Sequence, residues 1–182
     1  MDQALAPAIA TAKRRGLRVR VDEMNSVSCH GKAGVSDTFA AAIWALSSLF
    51  SLAELGAGGV NFHIFQPGKS SGYYDPIVSI WNGHTYRTDV RPLYYALLLF
   101  RTVLGSRLVP VQPTSPDAGI NSYAAVGHDR VRVFVLNRDL HRSQRVSIRL
   151  ICSCGPTELT FLRASSLDAM NGVILGSNRS LP

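Results

Sequence analysis

Two short β-branched runs flank a long apolar helical segment, and this spacing strongly limits the folds open to the chain. Residues 17–21 come first, residues 60–64 come last, and between them residues 37–55 repeat apolar side chains every three or four positions. A strand, a helix and a second strand at this spacing form a βαβ unit, so the two strands are predicted to be parallel. Ser36 is predicted to be the N-cap of the helix and Gly56 its stop.

Two acids stand where the first predicted strand gives way to its loop. By the two-residue period of a strand, Glu23 continues the apolar face of residues 17–21, whereas Asp22 points the other way. Glu23 is therefore predicted to be the inward, core-facing acid. A carboxylate at this place in a (β/α) barrel lies where that fold keeps its chemistry. From position alone, a strand-end acid facing water fits equally well.

The middle of the chain offers further candidate residues. Residues 65–89 are rich in Gly, Ser, Pro and Tyr and are predicted to form a long loop, of a length that is usually functional. This loop carries Tyr73 and Tyr74, and His63 stands at the end of the second predicted strand. Each of the three can contact a substrate, and each can equally be a packing residue. Residues 90–104 are predicted to be the next helix.

The pattern changes beyond Gly105, where turn residues separate short β-rich runs. The runs are residues 108–111, 122–126, 131–137, 146–151, 158–162 and 173–175. Short strands at such regular spacing predict an antiparallel sandwich. The fold class is therefore predicted to be α/β over residues 1–105, followed by all-β over residues 106–182.

Charge and hydropathy exclude several partners. The net charge is +7, but the basic residues are scattered and 13–15 is their only run, so a nucleic-acid partner is not predicted. No apolar run approaches the roughly 20 residues of a membrane span. The first residues lack the basic and apolar regions of a signal peptide.

The cysteines predict neither a disulfide nor a metal site. The three are Cys29, Cys152 and Cys154. The last two are separated by a single residue, which is too close for ordinary disulfide geometry. A metal site needs more Cys or His ligands at suitable spacing. Free structural thiols and no metal site are therefore predicted.

One long stretch of the chain resembles a known enzyme family. Glu23-Met24-Asn25-Ser26, followed by Gly34-Val35-Ser36-Asp37-Thr38-Phe39-Ala40-Ala41, resembles the nucleophile segment of glycoside hydrolase family 79, which contains β-glucuronidases and heparanases. The resemblance implies that Glu23 is the nucleophile of a retaining β-glycosidase, which needs no metal and no organic cofactor. Asn25 and Ser26 would shape its loop or hydrogen-bond its carboxylate.

The same resemblance implies a substrate that contains glucuronic acid, as a glycoside or a glycan. In the family a tyrosine after the last barrel strand helps to hold the sugar carboxylate, so Tyr73 or Tyr74 is the candidate, with no choice between them. A further family tyrosine, shortly after the nucleophile, is Ser28 here. If the full-length protein carries an upstream signal peptide, the family implies an extracellular or lysosomal location.

The resemblance also covers the rest of the chain. Residues 89–100 are similar to the family's final barrel helix, so residues 1–105 would be the last βαβα portion of a (β/α)8 barrel, and residues 106–182 an incomplete β-sandwich. The family's acid/base residue follows an earlier strand and has no counterpart here. Asp75 is the one substitute acid in the long loop. The chain alone is therefore expected to be inactive, and the alternative is a non-catalytic remnant or an acidic-glycan-binding module.

Overall fold

The computed structural model describes residues 2–65, 71–113, 119–151 and 155–181. Its first part contains helix α1 (Asp2–Arg14), strand β1 (Val21–Met24), helix α2 (Phe39–Leu55) and strand β2 (Val60–Phe62). Strands β1 and β2 pair in parallel, which confirms the βαβ unit that the sequence predicts. The parallel pair matters for function because its two carboxyl ends lie side by side.

The first strand begins later than predicted. Residues 17–20 lie outside the ladder, because the segment that faces them is the glycine-rich turn after α2. This turn contributes isolated hydrogen bonds, such as that from Gly58 N to Val19 O at 2.7 Å. A continuous ladder starts only where Val21 meets Val60.

A register shift in β1 overturns the predicted inward orientation of Glu23. Val21 pairs with Val60 and Met24 with Phe62, so β1 holds one residue more than β2 between these pairs. An extra residue of this kind interrupts the alternation of side chains along a strand. Met24 is therefore buried in the same apolar cluster as Val21, whereas the Glu23 side chain is 74% exposed.

The N-terminus of α2 is capped from a distant part of the chain. The helix begins two residues later than predicted, and its N-cap is Thr38, without a side-chain cap bond, rather than Ser36. The amides of the first two helical residues donate to the carbonyl oxygens of Ala169 and Leu167, each at 2.8 Å. These carbonyls satisfy amides that every helix start leaves free. At the other end, Gly56 in the left-handed conformation stops α2 as predicted.

A β-hairpin replaces much of the long loop that the sequence predicts over residues 65–89. Its strands are β3 (Ile77–Trp81) and β4 (Tyr86–Val90), which pair antiparallel. The turn contains Asn82 and Gly83, and Gly83 has φ of +97°. Asn82 pairs with Thr85 across the turn, and its Oδ1 also accepts the amides of His84 and Thr85 at 3.0 and 2.8 Å.

Helix α3 (Pro92–Arg101) follows the hairpin and is shorter than the predicted 90–104. An antiparallel sheet then forms from β5 (Arg107–Val109), β6 (Ile120–Val126) and β7 (Val131–Asn137), and a separate ribbon from β8 (Thr157–Arg163) and β9 (Ile174–Leu181). The predicted strand over 146–151 is wrong, because the described residues there join no ladder and Val146, Ile148 and Leu150 remain exposed.

One core joins the helices to the β region. Phe50 of α2 is fully buried and its ring lies 4.4 Å from Tyr123 of β6, 4.8 Å from Phe134 of β7 and 5.0 Å from Phe100 of α3, between ring centroids. The same cluster includes Val173, just before β9. Helices α2 and α3 therefore pack directly on the antiparallel sheet, and the core crosses the predicted boundary near residue 105.

The described part of the chain is thus a mixed α/β region followed by an antiparallel β region, and it contains no closed barrel. A second apolar cluster, built on Ile9, Met24 and Leu52, holds α1 and α2 against the parallel strands. Across the residues described above, no helix is both long enough and apolar enough to cross a bilayer.

Candidate functional site

A pocket of about 500 Å³ opens at the carboxyl ends of the parallel strands β1 and β2. The strand ends, the loop after β1 and the turn before β3 supply its lining, which consists of Glu23, Met24, Asn25, Ser28, Cys29, His30, His63, Phe65 and Tyr74. Five of the eight residues to which the sequence gives a possible role belong to this set. The other three, Ser26, Tyr73 and Asp75, do not, and the Ser26 hydroxyl instead donates to Ser36 Oγ at 2.8 Å.

His63 lies between two of the other candidates. Its Nδ1 atom is 3.5 Å from Glu23 Oε1 and 3.3 Å from the hydroxyl oxygen of Tyr74. The His63 side chain is 44% exposed, so the arrangement is open to solvent and to ligands. One ring nitrogen either donates a proton or offers a lone pair. Nδ1 therefore cannot donate to Glu23 and accept from Tyr74 at the same time.

The two adjacent tyrosines have different environments. Tyr74 is only 4% exposed, with its hydroxyl at the pocket wall. Burial raises the pKa of the Tyr74 hydroxyl above its usual value, so this group stays protonated at physiological pH. Tyr73 is 42% exposed and its ring lies under the Arg91 guanidinium, 5.9 Å from the ring centroid. Of the pair, Tyr74 is the residue that lines the pocket.

Asn25 connects the ends of the two parallel strands. Its Nδ2 donates to the His63 carbonyl oxygen at 3.0 Å, which holds the residues after β2 beside those after β1. Its Oδ1 is buried and has no hydrogen-bond partner within the described residues. Leaving a buried acceptor without a partner costs free energy, which the bond from Nδ2 to His63 offsets only in part. Ser28, also in the lining, is exposed.

The acids near the pocket, Asp75 and Asp37, have structural roles. Asp75 is buried, and its two oxygens accept the amides of Phe65 at 3.1 Å and Gly72 at 2.8 Å. Asp37 is also buried and accepts the amide of Gly34 at 2.8 Å. Asp75, the substitute acid considered from the sequence, therefore closes the turn that carries Tyr74, and it is not among the lining residues.

Cys29 and His30 line the pocket although the sequence analysis did not propose them. Both have positive φ, +57° and +72°, and Gly31 continues the left-handed turn at +77°. Such conformations are uncommon outside glycine and are concentrated at functional sites. The His30 ring stacks on Phe65, with centroids 4.1 Å apart and planes 15° apart. The glycines around this loop were the available signal, since they mark backbone that turns sharply.

Two glycine substitutions test the close packing between this loop and Tyr74. A Cβ atom added at Gly31 would lie 2.9 Å from Tyr74 Cδ1 and 2.9 Å from Ser36 Oγ, whereas one added at Gly34 meets nothing within 4 Å. Both glycines have positive φ, so alanine at either costs about 1–2 kcal/mol in backbone strain. Gly31→Ala should lose roughly 1–3 kcal/mol more than Gly34→Ala, measured by denaturant unfolding. Equal losses would contradict the Tyr74 contact.

The pocket combines an exposed carboxylate with hydroxyl, amide and imidazole groups around an open depression of about 500 Å³. Such groups can hydrogen-bond a polar ligand, and an exposed carboxylate can in general act as a nucleophile or a base. Among the residues that the structure describes, no group of three or more His, Cys, Asp or Glu side chains is arranged to hold a metal ion. Cys152 and Cys154 lie outside the described residues, and Cys29 is free and exposed.

No family model and no curated protein sequence matches this chain.

Proposed function

We propose that the chain is part of a retaining β-glycosidase of the family 79 type that acts on glucuronides, with Glu23 as its nucleophile. Glu23 attacks the anomeric carbon and forms a glycosyl-enzyme ester, which water then hydrolyses. The Tyr74 hydroxyl hydrogen-bonds the carboxylate of the sugar. Asn25 steadies the loop through its bond to the His63 carbonyl oxygen.

The observation that carries this proposal is the convergence of residues named from the sequence. Glu23, Asn25, Ser28, His63 and Tyr74 line one pocket, although up to 51 positions separate them in the chain. The resemblance to family 79, or their position in the chain, singles these residues out independently of the geometry. A set of unrelated surface residues would not be expected to meet in one cavity.

The location of the pocket agrees with the proposal. In (β/α)8 barrels the catalytic residues lie at the carboxyl ends of parallel strands. Here Glu23 is in β1 and His63 directly follows β2, and the two strands are parallel. We propose that β1, α2, β2 and α3 correspond to the last βαβα portion of such a barrel, and that the β region corresponds to an incomplete sandwich.

The acid/base partner of Glu23 is the missing component. Retaining glycosidases need two carboxyl groups about 5–5.5 Å apart. Glu23 is the one carboxylic acid among the described lining residues. The nearby acids Asp75 and Asp37 do not line the pocket, and both accept hydrogen bonds from backbone amides. We propose that the second carboxyl comes from a polypeptide segment outside this chain. On its own, the chain is then expected to hydrolyse no ordinary glucuronide.

An activated sugar tests the nucleophile without its partner. We suggest incubation with 2-deoxy-2-fluoro-β-D-glucuronosyl fluoride, whose fluoride leaves without help from a general acid. A Glu23 oxygen bonds to the anomeric carbon while the carbon–fluorine bond breaks, and the ester persists because no base activates water. Mass spectrometry should find one fluorosugar attached to the peptide containing Glu23. Absence of the label, or a label on Cys29, would contradict the proposal.

A second candidate is an acidic-glycan-binding module without hydrolysis, and the single carboxyl in the described lining favours it. This alternative predicts saturable binding of a glucuronide without any ester on Glu23 under the same conditions. The fluorosugar experiment therefore separates the two candidates, provided that binding is measured in parallel.

A further inference from the structure

The charged groups of the pocket are few for a site that takes an acidic sugar. None of its nine described lining residues is Lys or Arg. A ligand carboxylate, ionised above about pH 5, would meet the carboxylate of Glu23, and two like charges at short range repel. The lining groups that can become positive near neutral pH are the imidazoles of His30 and His63.

Of these two imidazoles, His63 contacts the polar groups that a sugar acid would use. Its Nδ1 lies 3.5 Å from Glu23 Oε1 and 3.3 Å from the Tyr74 hydroxyl. His30 instead stacks flat on Phe65, with its ring centroid 4.1 Å from that of Phe65. The His63 ring is tilted by 44° to the Phe65 ring and is therefore not stacked flat on it.

We propose that His63 makes the pocket selective for an anionic sugar, because its protonated ring supplies the charge that offsets Glu23 and attracts the ligand carboxylate. The inference rests on the proposed function and adds the residue that sets specificity and its dependence on pH. The site then prefers a glucuronide to the matching glucoside only while His63 is charged.

Protonation of His63 also changes the hydrogen bond of Tyr74. In the neutral ring whose proton is on Nε2, Nδ1 accepts from the Tyr74 hydroxyl and keeps this hydrogen away from the ligand. In the charged ring both nitrogens carry protons, so Nδ1 donates toward Glu23 and the Tyr74 hydrogen turns to the ligand carboxylate. Other titratable groups line the pocket around the ring: Glu23 from β1, Cys29 and His30 from the loop after β1, and Tyr74 from the turn before β3. Asp75 acts on Tyr74 from within that turn, with both of its oxygens on backbone amides.

The test compares methyl β-D-glucuronide with methyl β-D-glucoside, each titrated into the full chain by NMR between pH 5 and pH 8. We expect the glucuronide to bind about fivefold more tightly at the acidic end, since two exposed charges about 4 Å apart interact by roughly 1 kcal/mol. The glucoside carries no charge, and its affinity should stay constant. A glucuronide affinity that does not change with pH would overturn the inference.

Two variants locate the effect. His63→Gln keeps a hydrogen-bonding side chain without a titratable charge and should remove the pH dependence of glucuronide binding. His84→Gln, in the exposed hairpin turn, should retain it in full. If His30→Gln removes the dependence and His63→Gln does not, the assignment to His63 is wrong. Binding of neither sugar at any pH would instead count against the proposed function itself.

A second readout does not depend on any variant. If protonation of His63 strengthens binding, then bound glucuronide must favour the protonated ring to the same extent. The midpoint of the His63 Cε1–H resonance in a pH titration should therefore rise when methyl β-D-glucuronide is present and stay unchanged with the glucoside. An unchanged midpoint with saturating glucuronide would overturn the inference even if both variants fail to fold.

Discussion

Glu23→Gln is expected to reduce labelling by the fluorosugar at least about a thousandfold, to the level of the uncatalysed background. The amide oxygen of glutamine is a poor nucleophile, so no ester forms at the anomeric carbon. The Glu23 side chain is 74% exposed and supports no core contact, so the substitution should leave the unfolding transition unchanged. Intact-protein mass spectrometry over time measures the loss, and circular dichroism checks the fold.

Asp22→Asn provides the control for this substitution. Asp22 is the neighbouring acid, exposed and outside the pocket lining, so its replacement removes the same charge without touching the proposed nucleophile. This variant should be labelled as fast as the original chain, within about a factor of two to three. Labelling that survives Glu23→Gln but is lost with Asp22→Asn would transfer the nucleophile to Asp22.

Phe50→Ala is expected to lower the free energy of unfolding by about 3–5 kcal/mol, the usual cost of removing a fully buried phenylalanine. The cavity would open where α2, α3 and the antiparallel sheet meet, because the Phe50 ring contacts aromatic rings from all three. A loss of this size is a large fraction of the stability of an ordinary domain. Urea unfolding followed by tryptophan fluorescence and by circular dichroism measures it.

Two further variants show whether this loss reflects packing at the shared core. Phe50→Leu keeps most of the apolar volume and should cost clearly less than alanine. Leu104→Ala removes a side chain that is mostly exposed and should change stability by no more than about 0.5 kcal/mol. If Phe50→Ala lowers the unfolding midpoint measured by only one of the two spectroscopic signals, the helices and the β region do not share a cooperative core.

The parallel unit could be predicted because its signals are local. A helical stripe, a stop glycine and two β-branched runs determine the order and the direction of β1, α2 and β2. The orientation of Glu23 could not be predicted in the same way. It depends on one extra residue between the Val21 and Met24 pairs, and a strand this short carries no pattern that reveals a shift in pairing.

The pocket was foreseen in part, for comparable reasons. Glu23, Asn25 and the tyrosine pair were named because they belong to a recognisable stretch or loop. The choice of Tyr74 over Tyr73 depends on a turn closed by Asp75 and on burial, which are tertiary properties. Cys29 and His30 were missed, since the left-handed backbone that brings them to the pocket is not a property of Cys or His side chains.

The cap on α2 has a consequence for how the protein is made. The carbonyls of Leu167 and Ala169 close the start of a helix that lies some 130 positions earlier in the chain, directly after the loop that supplies half of the pocket. Contacts over such sequence separations form late, because the intervening chain must first be ordered. During synthesis from the N-terminus, α2 therefore leaves the ribosome long before the residues that cap it. A nascent chain arrested before residue 167 lacks these two acceptors, and its α2 should be less stable at the end that follows the pocket loop.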